Sequence, residues 1–166
     1  MNSAGNDQVQ LWITKDDVLL EPQMEKNYAA MLNAEEKIRW KRFIFSADRQ
    51  RFLIARALVR SIVAQELKQD DPAALQFSVS PYGKPSLHTI SRKLPLHFNL
   101  SHTDGLLVLA VSKVHELGVD AESIRRKVDV QALSRRYFSA SEHNELMDLG
   151  GTAQLERFFA LWTLKE

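Results

Sequence analysis

LHFNLSHTDGLLVLAVSKVHELGVDAE, residues Leu96 to Glu122, decides the fold class. Three strands are predicted within it, at Leu96–Leu100, Leu106–Ser112 and Leu117–Glu122. Asp104-Gly105 supplies the first tight turn and Lys113–Glu116 the second. Strands joined this closely pair antiparallel, and the wholly apolar middle strand belongs at the centre of the sheet. In the third strand, alternation sends Leu117, Val119 and Ala121 to one face and Asp120 and Glu122 to the other. Those two carboxylates then stand about 7 Å apart, a spacing that suits a hard divalent cation. On its own, such a pair is more commonly a solvated strand end.

Working outward, Val9 to Ile13 alternates as a first strand, and Gln76 to Val79 forms another. Glu35 to Phe45 is a basic-aromatic helical segment, with Lys37, Arg39, Lys41 and Arg42 around Trp40 and Phe43. Ser46 reads as the N-cap of a long helix from Ala47 to Leu67, and Asp48 suits its positive end. Phe52, Ala55, Leu58, Val59, Ile62 and Val63 make its apolar arc, while Arg49, Arg56 and Arg60 share a face like a solvated ridge. Arg51 breaks the pattern by projecting into the apolar arc, either snorkelling to the helix end or serving a function. A helix is predicted from Val130 to Tyr137, and Ser139 with Glu142 resembles a capping start for the next. Gly150-Gly151 separates that helix from a last amphipathic one, where Leu155, Phe158, Phe159, Trp162 and Glu166 fall within roughly 100° of one face. An acid on that apolar stripe needs a cation or hydrogen-bond donors. Glu166 therefore joins Asp120 and Glu122 as a candidate metal ligand, although a lone Glu at the end of the chain is more commonly solvent-exposed.

With 166 residues, 45% of them hydrophobic and 26% charged, the chain has the composition of an ordinary globular protein able to bury a core. A net charge of +1 exerts no general pull on nucleic acid or membrane, so anion recognition must be local. The absence of cysteine excludes disulfides, thiolate metal sites and cysteine nucleophiles, and agrees with a cytoplasmic location. No apolar run approaches membrane-spanning length, and the polar start is unlike a signal peptide.

Two features suit anions. Gly83-Lys84-Pro85 fixes a lysine on a restricted turn, although such a turn is also a common surface feature. Phe98-Asn99-Leu100-Ser101-His102 puts a hydroxyl, a backbone N–H and an imidazole at one strand end, where they suit a phosphate. Alternatively, Ser101 caps the turn and His102 is solvated. There is no Gly-x-x-x-x-Gly-Lys-Ser/Thr loop, no Gly-x-Gly-x-x-Gly and no His-Glu-x-x-His, so P-loop, Rossmann and zincin chemistry are unsupported.

The ordered set is more specific than its parts. Glu35-Glu36-Lys37-Ile38-Arg39, Lys41-Arg42-Phe43, Asp48-Arg49, Tyr82-Gly83-Lys84-Pro85 and Phe98-Asn99-Leu100-Ser101-His102 are followed by Gly118-Val119-Asp120-Ala121-Glu122. Arg136-Tyr137-Phe138-Ser139 with Glu142, and Phe159-Ala160-Leu161-Trp162-Thr163-Leu164-Lys165-Glu166, complete it. In this order and spacing, from about residue 9 to the last, the chain resembles the Sfp-type 4′-phosphopantetheinyl transferases of the holo-acyl-carrier-protein synthase superfamily. Ala121 departs from the larger aliphatic residue usual between the two acids, a change of packing.

The resemblance implies an α+β fold, a pseudodimer of two similar halves with antiparallel sheets packed on helices. Residues 1–112 would be the N-terminal, coenzyme A-binding half. Residues 113–166 would begin a C-terminal half that carries the metal site and is incomplete here. The implied activity is Mg²⁺-dependent transfer of the 4′-phosphopantetheine arm of coenzyme A to a serine of an apo carrier protein of acyl, peptidyl or polyketide type, releasing 3′,5′-adenosine bisphosphate. Asp120, Glu122 and Glu166 match the metal site, and Glu166 the base for the carrier serine. Ser101 and His102, with Asn99, match the motif that holds the nucleotide phosphates, while Arg39, Lys84 and Pro85 match other coenzyme A contacts. The expected full-length protein is a monomeric pseudodimer with no nucleic-acid or membrane partner. Two other readings remain: a non-catalytic coenzyme A or carrier-protein binding fragment, and a different metal-dependent phosphoryl or nucleotidyl enzyme using the same acids.

Overall fold

Leu106–Ser112, the apolar strand expected at the centre, is the middle of a three-stranded antiparallel sheet in the computed structural model, which describes residues 8–79, 85–87 and 96–166. In chain order the elements are β1 (Val9–Thr14), α1 (Pro22–Met31), α2 (Ala34–Arg42), α3 (Ser46–Leu67) and a 3₁₀ turn (Pro72–Ala74). These are followed by β2 (Phe77–Val79), β3 (Pro85–Leu87), β4 (His97–Thr103), β5 (Leu106–Ser112), α4 (Val130–Tyr137), α5 (Ala140–Met147) and α6 (Gly151–Thr163). The architecture is α+β, as expected. Strands β2 and β3 form a separate antiparallel pair.

The β4–β5 hairpin turns at Asp104-Gly105, with Thr103 opposite Leu106. Gly105 has φ +79°, a conformation that favours glycine. The expected third strand is not there. Residues 117–122 have no ladder, because the other edge of β5 is taken by β1, in register from Val9 opposite Ser112 to Thr14 opposite Leu107. A strand has only two edges, and the sheet order β1-β5-β4 uses both edges of β5.

Helix α3 covers one face of this sheet. Its Val59, Ile62, Val63 and Ala64 pack in one core with Phe98, Leu109, Val111 and Leu75. Each large aliphatic side chain buried this way contributes about 1.5–3 kcal/mol. The helix starts one residue earlier than predicted: Ser46 is its first residue, and Phe45 stands at the N-cap without a side-chain cap bond.

The solvated ridge also needs correction. Arg49 is exposed, but Arg56 is half-buried and Arg60 is fully buried. The 3₁₀ turn folds back over that face, and the carbonyls of Pro72 and Leu75 accept from Arg60 Nη1 at 2.6 and 3.0 Å. Glu36 Oε2 takes Arg60 Nε at 2.6 Å.

The C-terminal elements form a second core of Val130, Leu146, Phe158, Phe159 and Leu161. Gly151 opens α6 at φ +57°, where a side chain would be strained, so Gly150-Gly151 is the expected break. Helix α5 begins with the predicted capping box between Ser139 and Glu142. The Ser139 N–H donates to Glu142 at 2.8 Å and Lys165 Nζ lies 3.0 Å away; together they hold this carboxyl at about 2, against an ordinary 4.5. A lowered folded-state value means that the cap's contribution is complete above pH 4.5 and is lost as pH falls towards 2. The Glu142 carboxyl carbon should therefore titrate in NMR with a midpoint near 2. A midpoint near 4.5 would show that the cap does not hold in solution.

Candidate functional site

Strand β4 serves two sites at once because its residues alternate. Phe98, Leu100 and His102 fall on one face, the face that packs toward α3; Asn99 and Ser101 fall on the other. On the α3 side, Leu100 and His102 join Arg39, Phe43, Asp48, Arg51, Phe52, Ala55, Arg56 and Leu107 around a cleft of about 270 Å³. Three guanidiniums and an imidazole stand over an apolar, aromatic floor, a combination that suits an anionic ligand with a flat apolar part.

The three arginines differ electrostatically. Arg51 is paired with the buried Asp16, and Asp104 and Asp48 lie 3.5 and 3.7 Å from its nitrogens. Its hydrogen bond to Asp16 raises its proton affinity further. Burial lowers that of Arg56, although Glu36 at 3.8 Å works the other way. Arg39 has no carboxylate partner among the described residues, so its charge is the least compensated.

On the other face, Asn99 and Ser101 replace the missing ladder with side chains. The Val119 N–H donates to Asn99 Oδ1 at 2.9 Å and the Ala121 N–H to Ser101 Oγ at 3.1 Å. Ser101 Oγ in turn donates to Asp120 Oδ1 at 2.8 Å. Segment 117–122 is thereby fixed in place without being a strand.

Asp120 Oδ2 is buried and has no hydrogen-bond partner. A carboxylate oxygen removed from water is costly without a donor or a cation, so Asp120 fits a metal ligand. Glu122 pairs with Arg126 Nη1 at 2.6 Å. Glu166 is not on the apolar stripe of a helix. Helix α6 ends at Thr163, and the exposed Glu166 carboxylate accepts from Trp162 Nε1 at 2.8 Å. Among the described residues no group of three or more His, Asp or Glu side chains is gathered closely enough to hold a metal.

The predicted residues thus divide. Arg39 and His102 meet in the cleft; Asn99, Ser101 and Asp120 meet on the opposite face of β4. Ser101 does not line the cleft with His102, since neighbouring strand residues point opposite ways. Lys84 lies outside the described residues, and Pro85 opens β3 opposite Val79. Sequence reasoning missed Phe52, Ala55 and Arg56 as cleft residues because their spacing resembles a core arc and a solvated face. Arg51 carried a signal in its position on the apolar arc.

Comparison with known proteins shows the family. The family model for 4′-phosphopantetheinyl transferase, N-terminal, matches residues 21–114, and that of the 4′-phosphopantetheinyl transferase superfamily matches residues 116–166. The chain belongs to this superfamily and is of the Sfp type. It is 33% identical to the 4′-phosphopantetheinyl transferase HetI of Nostoc sp., over 97% of this chain and 67% of that one. With a 4′-phosphopantetheinyl transferase of Bacillus subtilis the identity is 32%, over 86% of this chain and 60% of the relative. With the 4′-phosphopantetheinyl transferase Sfp of Bacillus subtilis strain 168 it is 28%, over 89% and 62%. The chain therefore spans between 60% and 67% of the length of these relatives.

Proposed function

We propose that the protein transfers the 4′-phosphopantetheine arm of coenzyme A to a serine of an apo carrier protein, with Mg²⁺, releasing 3′,5′-adenosine bisphosphate. The observation that carries this reading is the double use of β4. One face lines a cationic, aromatic cleft of a kind that suits an anionic ligand, and the other anchors an acidic segment in which one Asp120 oxygen is buried without a partner.

In this reading Arg39, Arg56 and His102 bind the nucleotide phosphates, and Phe43, Phe52 and Leu100 cover its apolar part. Asp120 and Glu122 would hold Mg²⁺; Glu166, which is not gathered with them among the described residues, enters as a third ligand or as the base on the family resemblance alone. When bound, Mg²⁺ would neutralise charge on the pyrophosphate. Ser101 fixes the Asp120 rotamer, and the Asn99 bond to Val119 keeps the segment against β4. Glu166 accepts the proton of the carrier serine; the serine oxygen bonds to the pantetheine-side phosphorus as the pyrophosphate P–O bond breaks. Residues 1–112 then supply the coenzyme A part and residues 113–166 the metal part. The zero cysteine count suits a cytoplasmic setting, and among the described residues no helix is long and apolar enough to cross a membrane.

The test is mass spectrometry of apo carrier proteins after incubation with coenzyme A, Mg²⁺ and the protein. A mass gain of one 4′-phosphopantetheine on the carrier serine is expected, and none without Mg²⁺. Coenzyme A binding without any transfer to acyl, peptidyl or polyketide carriers would instead make this a non-catalytic binding protein. Within the cleft, Arg39→Gln and His102→Gln should each raise the KM for coenzyme A about 10-fold or more, with a smaller fall in kcat. Equal effects on both parameters would place these side chains at the reacting centre rather than on the nucleotide.

A further inference from the structure

Two like charges line the cleft, and a single aromatic ring touches both. The Arg39 guanidinium carbon lies 5.3 Å from the Phe52 ring centroid and that of Arg56 lies 5.4 Å from it. The Phe43 ring braces Phe52 at 5.3 Å. Arg39 belongs to α2 and both Phe52 and Arg56 to α3, so the ring is where the cations of two helices converge. Their proximity has a cost: after burial, the charge of Arg39 is among the causes that lower the proton affinity of Arg56. Glu36 relieves this only partly, because its nearer oxygen is 3.8 Å from Arg56 while its other oxygen accepts from Arg60 and the Asn33 N–H. A ring face attracts guanidinium groups, more strongly where water is excluded.

We propose that Phe52 is a positioning residue, whose ring gathers Arg39 and Arg56 into one fork for a phosphomonoester. Two undercompensated guanidiniums that share one ring match a group carrying close to two negative charges better than a singly charged diester. The inference rests on the coenzyme A reading above, in which the 3′-phosphate is the only monoester. Phe52 itself makes no bond to the phosphate; it sets where the two cations stand before the ligand arrives. Phe52→Leu keeps an apolar wall of similar bulk and removes the ring face, while Phe52→Tyr restores the ring.

The experiment combines arginine Nε–H NMR of the ligand-free protein with calorimetric binding of coenzyme A and dephospho-coenzyme A. Ring-shifted Arg39 and Arg56 resonances are expected in the wild type, lost in Phe52→Leu and regained in Phe52→Tyr. Coenzyme A affinity should fall about 10-fold in Phe52→Leu and recover in Phe52→Tyr, while dephospho-coenzyme A affinity changes by no more than about twofold. Unshifted arginine resonances in the wild type would overturn the proposal. So would an equal loss for both ligands, which is what a structural role predicts. If the wild type binds neither ligand, the coenzyme A reading fails, and the arginine resonances still decide whether the ring gathers the two cations. Should Phe52→Leu unfold, Phe52→Met removes the ring with a more adaptable side chain, and the same outcomes apply.

Discussion

Asp120→Asn is expected to reduce carrier modification by about 10³-fold or more while leaving the fold intact. The substitution keeps the volume and an oxygen able to accept from Ser101, whose hydroxyl lies 2.8 Å from Oδ1. It removes the charge of the carboxylate whose other oxygen is buried without a partner. If that oxygen belongs to a metal ligand, the loss falls on transition-state charge rather than on coenzyme A affinity. The check is the transfer rate across a Mg²⁺ titration, with coenzyme A affinity and thermal unfolding measured on the same samples. Near-normal turnover at saturating Mg²⁺ would remove Asp120 from the metal site. Loss of coenzyme A binding in parallel with turnover would make the residue a scaffold of β4 instead.

Arg60→Met carries the largest expected effect on stability, a loss of roughly 3–5 kcal/mol. The side chain is 0% exposed, and its guanidinium holds Glu36, the carbonyls of Pro72 and Leu75, and the face of Phe77 at 5.1 Å. Without it, the Glu36 carboxylate, only 13% exposed, loses its 2.6 Å ion pair and keeps only Arg56, 3.8 Å away, as a charged partner. Glu36 also caps α2 through the Asn33 N–H, so the damage should extend to the helix that carries Arg39. Urea denaturation measures the loss directly. The double variant Arg60→Met with Glu36→Gln should recover part of it, since glutamine can cap but carries no stranded charge. A single-variant loss below about 1 kcal/mol would mean that Arg60 is solvated in solution.

These two residues show where a sequence is informative and where it is not. Asp120 stands out as a candidate because the acids sit in a short local pattern, Gly118-Val119-Asp120-Ala121-Glu122, although the pattern does not reveal that Ser101 of β4 holds it. Arg60 was misread because its surroundings come from Pro72 and Leu75, which no periodicity within α3 reveals. Phe52 and Arg56 were hidden in the same way. A position on a helix face says which residues share a side, but not whether the neighbour on that side is solvent, core or a cleft.

The helices α4 and α5, the capping box at Ser139, the β4–β5 hairpin and the central place of β5 followed from period, turn chemistry and capping, all set by residues within a few positions of one another. The partner of β5's second edge did not. Leu117–Glu122 and Val9–Thr14 both carry strand-like alternation, and only the assembled sheet decides between them, in favour of β1. Once that edge is filled, Asn99 and Ser101 hold the displaced acidic segment from β4 by their side chains. Alternation along β4 then separates His102 from Ser101 and sets the cationic cleft and Asp120 on opposite faces of one strand. Competition for a strand edge is a contest between segments about a hundred residues apart, so local pattern names the contestants and tertiary packing chooses the winner.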